Sequence, residues 1–205
     1  MSDQRICTIE QFSAVLKKTV SERRFIHSMG VAQTTCMLLD YYGCTDYEKT
    51  WNGFEAGYFC GLAHDLCREM PGPVLIEYCR KNGVHLTKWE IESPVLAHGK
   101  ASAFMAGQLV PGYPESWKRA IEAHTTGLNG LDDLAQALFV ADFIEPSRTF
   151  LTEEKRREYL ANPSLTACEY AILCDMIAHW KEKGYHDASE GSLLLKRELE
   201  EKLGI

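Results

Sequence analysis

The adjacent pair His64-Asp65, set in Phe59-Cys60-Gly61-Leu62-Ala63-His64-Asp65-Leu66-Cys67-Arg68, puts an imidazole beside a carboxylate at the end of an apolar helical stretch. A charged Asp among such neighbours is costly unless something positive sits beside it. A divalent transition metal meets that need, because neutral imidazole and carboxylate are its ordinary ligands. Two residues cannot hold an ion alone, so partners must come from elsewhere in the chain. Four side chains in helical or helix-terminal stretches qualify: His27, His98, His124 and Asp142. Asp142 is the most telling, because it interrupts Leu138-Phe139-Val140-Ala141-Asp142-Phe143-Ile144, where an unpaired carboxylate carries a heavy desolvation cost.

Taken singly, each of these residues has a bland explanation as a helix cap or a solvated surface group. Jointly they are more specific. Of the seven His, His27, His64, His98 and His124 lie in apolar or small-residue helical surroundings, whereas His85, His179 and His186 lie in polar or loop-like ones and are set aside. Cys60, four residues before His64 on the same helix face, offers a soft ligand, but the better reading is a buried packing residue.

The elements that must position these side chains are nearly all helical. Ile9, Phe12, Val15 and Leu16 have helical spacing over about 8–19. Ser21 caps a helix carrying Arg24 and His27 to about Tyr42, with Gly43 as its stop. Thr45-Asp46-Tyr47-Glu48 has the capping-box pattern and predicts a helix start, interrupted at Asn52-Gly53 before the apolar helix of about 54–69. Pro71 and Pro73 open a helix that stops near Asn82-Gly83. Ser93-Pro94 predicts a helix to about Leu109 with His98 in its second turn. Pro114 begins one ending at His124-Thr125-Thr126-Gly127, and 131–144 forms another, ended by Pro146. Asn162-Pro163 starts a long helix to Lys183, and an amphipathic helix closes the chain at about 190–203. No alternating strand pattern, internal repeat or low-complexity tract stands out, so the expected fold class is all-α, with about nine or ten helices.

Length and composition are those of one ordinary globular domain: 205 residues, 45% hydrophobic and 25% charged, with no segment resembling an interdomain linker. A formal charge of −7 argues against nucleic-acid backbones as partners, yet leaves room for a small anionic substrate held by local cations and a metal. The N-terminus lacks a signal-peptide pattern, and no run approaches a membrane span, so a cytoplasmic protein without a membrane partner is expected. Eight Cys without a Cys-x-x-Cys pair read as reduced packing residues, which fits that compartment.

The order His27…His64-Asp65…Asp142 resembles the signature of the HD phosphohydrolase superfamily. The words Arg24-Phe25-Ile26-His27-Ser28-Met29-Gly30-Val31-Ala32, Ala97-His98-Gly99, Ile121-Glu122-Ala123-His124-Thr125 and Ala141-Asp142-Phe143-Ile144-Glu145-Pro146-Ser147-Arg148 are similar to its bacterial YqeK-type branch, the symmetrical diadenosine tetraphosphate hydrolases. The resemblance spans roughly residues 20–150, with helices of 151–205 packed on that core as one HD-type unit. Two words depart from the family: Leu62-Ala63 replaces Leu-Leu, and Arg68 replaces Lys, keeping the charge. The segment between Asp46 and His64 is several residues longer than usual, and the last ~20 residues have no family counterpart.

The resemblance implies one metal on His27, His64, Asp65 and Asp142, and a second on His98 and His124, with Asp65 bridging. Iron is the family metal; the residues themselves specify only a transition metal, with Mn, Co, Ni or Zn as the other choices. Such a pair lowers the pKa of a shared water, giving a hydroxide that attacks phosphorus and splits diadenosine tetraphosphate into two ADP. Arg24 and Arg68, each one turn from a ligand, together with Arg148, Lys100, Ser28 and Thr125, are the expected phosphate contacts, and Asp65 and Arg68 the catalytic pair. The partner is then a dinucleoside polyphosphate, with a homodimer also compatible. The alternatives are another nucleotide (a nucleoside monophosphate, a cyclic nucleotide or a guanosine alarmone), a non-catalytic metal and nucleotide sensor, or a purely structural metal.

Overall fold

The computed structural model describes residues 6–184 and 190–205. Its helix starts follow side-chain capping. Thr8 accepts from Gln11 N to open α1 (Ile9–Thr19), and Ser21 accepts from Arg24 N to open α2 (Glu22–Tyr41). A hairpin of β1 (Thr50–Trp51) and β2 (Phe54–Glu55) leads into α3 (Ala56–Ala63). Then come α4 (Gly72–Lys81), α5 (Lys88–Glu92), a 3-10 turn at Pro94–Ala97, α6 (His98–Leu109) and α7 (Glu115–Ala123). The chain continues as α8 (Asp133–Ile144), α9 (Glu153–Leu160), α10 (Leu165–Glu182) and α11 (Glu190–Leu203). The fold is all-α apart from the two-residue strands.

Several expectations need correction. No helix starts at Thr45: its amide and that of Asp46 both donate to Asp133 Oδ2, at 3.1 and 3.0 Å, so this stretch is pinned to α8 as a loop. Asn52 and Gly53 both take positive φ (47° and 82°), the backbone that a tight hairpin turn demands, and Thr50 pairs Glu55 while Trp51 pairs Phe54. The Asn-Gly dipeptide signalled that hairpin. The apolar helix is shorter than 54–69, because the amides of Leu66, Arg68 and Met70 bond three residues back, to Ala63, Asp65 and Cys67, and that of Cys67 donates to Ser102 Oγ. His98 is the first residue of α6 rather than a second-turn residue, since Pro94–Ala97 forms the 3-10 turn. Ser164, not Asn162, caps α10; the Asn162 side chain instead donates to Tyr159 O at the end of α9. Eleven α-helices lie among the described residues, α5 and α9 being the two not expected. His186 and the turn before α11 fall outside the described residues.

Two packing features bring the site together. The first is α8, fully buried along most of its length, which packs against α2, α3, α7 and α10. The second is the crossing of α2 and α3: a Cβ on Gly61 would lie 2.3 Å from Ala32 Cα, so the two backbones meet where only glycine fits. His27 lies five residues before Ala32, and His64 three after Gly61, so this contact sets how closely those imidazoles approach. Beneath it, Phe59 packs against Phe12, Phe54, Tyr113 and Trp117 with centroids 5.0–5.7 Å apart. Burying a side chain of that size contributes about 2–3 kcal/mol. The eight cysteines form no disulfide, and Cys60 is a buried packing residue whose Sγ faces Trp117 O. No helix among the described residues is long and apolar enough to cross a membrane.

Glu169 on α10 is fully buried, and neither of its carboxylate oxygens has a hydrogen-bond partner among the described residues. Burial pushes its carboxyl from the ordinary 4.5 up to about 8, against a smaller opposing pull from Lys202 on α11. The folded chain therefore keeps a proton that the unfolded chain loses near pH 4.5. Its contribution to stability is complete below that value and falls away as pH rises toward about 8. Urea unfolding across this range should show a Glu169→Gln variant losing less stability with rising pH than the wild type. Identical pH dependence in the two would mean that Glu169 is ionised in the folded protein.

Candidate metal centre

Five helices deliver the six predicted ligands to one place. His27 comes from the second turn of α2, and Asp142 from the last turn of α8. His64 ends α3, with Asp65 next to it; His98 begins α6; His124 ends α7. Three of the four imidazoles use the same local device. His64 Nδ1 donates to Gly61 O and His124 Nδ1 to Ile121 O, each at 2.7 Å, and His98 Nδ1 donates to Val95 O. Each bond reaches three residues back, to a carbonyl at a helix end or 3-10 turn. A carbonyl oxygen can only accept, so Nδ1 carries the hydrogen and Nε2 is left to face inward. His27 does the same with a side chain, donating from Nδ1 to Glu145 Oε1 at 2.9 Å.

The inward atoms fall into two clusters that share Asp65. His27 Nε2 is 3.2 Å from His64 Nε2, and Asp142 Oδ1 lies 3.1 Å from the first and 3.6 Å from the second. His98 Nε2 is 3.0 Å from His124 Nε2. Asp65 spans both: Oδ2 is 3.4 Å from His64 and 3.5 Å from His27, while Oδ1 is 3.0 Å from His98 and 3.8 Å from His124. Ligand atoms of His27, His64 and Asp142, and again of His64, Asp65 and His124, lie within 4.8 Å of one another. The four imidazoles and the Asp65 carboxylate are at most 6% exposed, whereas the Asp142 side chain is 22% exposed at the mouth.

The charge balance of these clusters suits a divalent cation. Nitrogen lone pairs turned toward one another at about 3 Å, beside two carboxylates, need positive charge between them. Protons supply some: burial pulls the His27 imidazole down, but Asp142, Asp65 and Glu145 outweigh it and raise it to about 10. His64 is likewise raised to about 9 against burial, chiefly by Asp65 and Asp142. His124 goes the other way, to about 3, through burial and its imidazole neighbours His64 and His98. Both carboxyls are held well below the usual range, Asp65 by His64 and His27, Asp142 by His27 and His64, in each case against burial. Protons on His27 and His64 stand where a divalent transition metal would sit; displaced by it, they leave imidazoles held by their Nδ1 partners beside ionised carboxylates, the donor set such an ion takes.

Cations ring the mouth. The Arg24 guanidinium lies on Asp65 Oδ2; that of Arg148 lies on Asp142 Oδ1, with its Nε donating to Asp142 O at 2.7 Å. A cleft of about 200 Å³ opens over the centre, lined among others by Arg24, Arg68, Thr125 and Arg148. Arg68 makes no ion pair among the described residues, and Thr125 Oγ1 is 3.0 Å from His124 Nε2. Glu69 accepts from the Ser21 amide (2.7 Å) and hydroxyl (2.6 Å), tying the start of α2 to the turn after the His64-Asp65 pair. Two predicted phosphate contacts are not brought to the cleft. Lys100 is held by Glu90 Oε2 (2.8 Å) and His85 O (3.0 Å), and Ser28 is fully buried with its hydroxyl unpartnered.

Glu145 is the residue the sequence reading missed. It is fully buried, orients His27 and accepts from Ser147 N at 2.7 Å. Gly30, one turn beyond His27, makes room for it: a Cβ there would lie 2.5 Å from Glu145 Oε2. The signal was an acidic residue following an apolar helix, three positions after Asp142. Removing such a partner lowers metal affinity by roughly ten- to a hundredfold. Competition titration with a chromophoric chelator should show that loss in Glu145→Ala, and a loss in the same direction in Gly30→Ala. Wild-type affinity in both variants would mean that His27 needs no support from this side chain.

No family model matches the chain. Its sequence is 28% identical over 143 residues to the symmetrical bis(5'-nucleosyl)-tetraphosphatase of Bacillus subtilis (strain 168), covering 69% of this chain and 71% of that one. The protein of the same name from Staphylococcus aureus (strain NCTC 8325 / PS 47) is 28% identical over 141 residues, covering 69% and 68%. Among solved structures, a Clostridium acetobutylicum protein described as a predicted HD superfamily hydrolase involved in NAD metabolism superposes with a TM-score of 0.81 and 26% identity. That alignment covers 94% of this chain and 97% of that one.

Proposed function

We propose that this chain, an HD-superfamily hydrolase by its fold and its relatives, uses a dinuclear metal centre to split diadenosine tetraphosphate symmetrically into two ADP. The observation that carries this reading is the sharing of Asp65 between two imidazole clusters, which suits two ions with one bridging carboxylate. His27, His64, Asp65 and Asp142 hold one ion; His98 and His124 join Asp65 on the other. Iron is our assignment for both positions. Ions bound there lower the pKa of water and neutralise phosphate oxygens.

The chain's own residues do the rest. Arg68, with no ion pair among the described residues, grips the tetraphosphate bidentately. Arg24 and Arg148, already lying on ligand carboxylates, share their remaining N–H donors with phosphate oxygens, and Thr125 adds a hydroxyl. Asp65 keeps its charge, so its two oxygens stay available to both clusters. One water is consumed, the bridge between the two central phosphorus atoms breaks, and each half leaves as ADP. Lys100 and Ser28 have no part in this set. Residues 20–150 contain the whole centre, the helices of 151–205 buttress α8, and the chain works in the cytoplasm as one catalytic unit.

Protein purified without oxygen and analysed for metal should carry iron and convert diadenosine tetraphosphate to ADP alone. AMP plus ATP as products would refute symmetrical cleavage, and faster turnover of a mononucleotide, an alarmone or NAD would move the substrate elsewhere. Asp65→Ala should lose both metal occupancy and turnover with its helical circular dichroism intact; retained turnover would end the bridging role. Arg68→Ala should raise KM for the dinucleotide about tenfold or more, the usual loss of a charge-assisted phosphate contact, with Arg68→Lys falling between.

A further inference from the structure

Arg24 and Arg148 each face two clefts. On one side is the cleft over the metal centre. On the other is a larger one, of about 360 Å³, which His27 also lines and which holds two exposed apolar side chains, Ile26 and Phe150. Exposed hydrophobic residues are common on any protein and mean little singly. Here they come from different elements, Ile26 from α2 and Phe150 from the turn after α8, and line one cleft together with Arg23, Arg24 and Arg148. Phe150 is 63% exposed, yet its ring is oriented: the Phe143 ring packs against it at 5.5 Å and 68°, and the Arg148 guanidinium lies 5.9 Å from its centroid. A held aromatic ring open to solvent, beside guanidinium groups, is the usual platform for a nucleic-acid base.

We propose that this cleft is a nucleoside subsite: the base stacks on Phe150 with Ile26 closing its edge, and the phosphates run past Arg24 and Arg148 to the metal centre. The polarity of the cleft sets that direction. Glu22, at the start of α2, also lines this cleft and not the one over the metal centre; its carboxylate repels phosphate but accepts from ribose hydroxyls. The arginines stand between the two clefts, where the phosphate charge has to pass. Every base offers a π-face, so stacking here selects for a nucleoside over a bare polyphosphate rather than for adenine over guanine. The inference rests on the nucleotide-hydrolase reading and deepens it.

The test measures equilibrium binding of ADP and of inorganic pyrophosphate to full-length, metal-loaded protein. Phe150→Ala should weaken ADP about tenfold, the usual loss for one base-stacking aromatic, with pyrophosphate binding unchanged. Phe150→Trp should restore ADP affinity. Because Phe150 is exposed, a thermal melt of each variant checks that folding is not the cause. Unchanged ADP binding in Phe150→Ala, or equal losses for ADP and pyrophosphate, overturns the subsite. If the wild type binds ADP through Phe150 but does not cleave diadenosine tetraphosphate, the subsite stands and the proposed reaction falls. If the wild type cleaves symmetrically and Phe150→Ala binds ADP normally, only the subsite falls.

Discussion

Four Nδ1–H groups, each committed to an oxygen outside the centre, are the constraint on which the site depends. An imidazole free to flip presents either nitrogen and either protonation state; one whose Nδ1 is held by a carbonyl or carboxylate presents only Nε2. His64, His98 and His124 take their partners from backbone three residues upstream, so the helix or turn that delivers the ring also fixes its tautomer. Only His27, inside a helix whose carbonyls are already used, needs a side chain from elsewhere, and Glu145 supplies it. That difference explains why one carboxylate outside the metal-facing set is buried as deeply as the ligands.

The same logic accounts for the close backbone contacts. Gly61 lets α3 touch Ala32 on α2, and Gly30 admits Glu145 beside His27, so both glycines lie where the geometry leaves no room for a side chain. The arginines complete the balance of charge. Asp65 and Asp142 are held ionised by the imidazoles around them, and Arg24 and Arg148 lie against them at the mouth. Because those two guanidinium groups border both clefts, groups that neutralise the centre also form the surface a polyphosphate would cross.

Much of this was legible in the sequence because burial of a charge is so costly. Asp142 within an apolar helix and His64-Asp65 after another could not be explained as surface residues, and the six side chains singled out do converge. The cap at Ser21 was equally readable, because side chain and backbone interact within four residues there; Thr8 and Asp132 cap α1 and α8 by the same contact but were not singled out. What failed was whatever depends on distant partners. The Thr45-Asp46 capping pattern lost to Asp133, nearly ninety residues on, which takes both amides. Lys100 looked available because Glu90, its partner, sits ten residues away on a helix of only five residues that periodicity could not resolve. Glu145 was hidden because its role exists only once α2 and α8 are side by side. The hairpin at Asn52-Gly53 is different: its signal was local and was read as an interruption.

Stability and chemistry are carried by separate layers of the molecule. The aromatic cluster around Phe59 and Trp117, with the buried faces of α8 and α10, needs no charge at the centre to remain packed. The ligands come from the ends of α3, α6, α7 and α8 and the second turn of α2, where imidazoles, carboxylates and the two arginines balance one another. Taking Asp65 out of water costs free energy, and the imidazoles around it offset that cost by holding it ionised. Such a division lets positions at the centre change charge while the scaffold that aims them keeps its shape. It also centres the charge of the site on the one carboxylate that both clusters share.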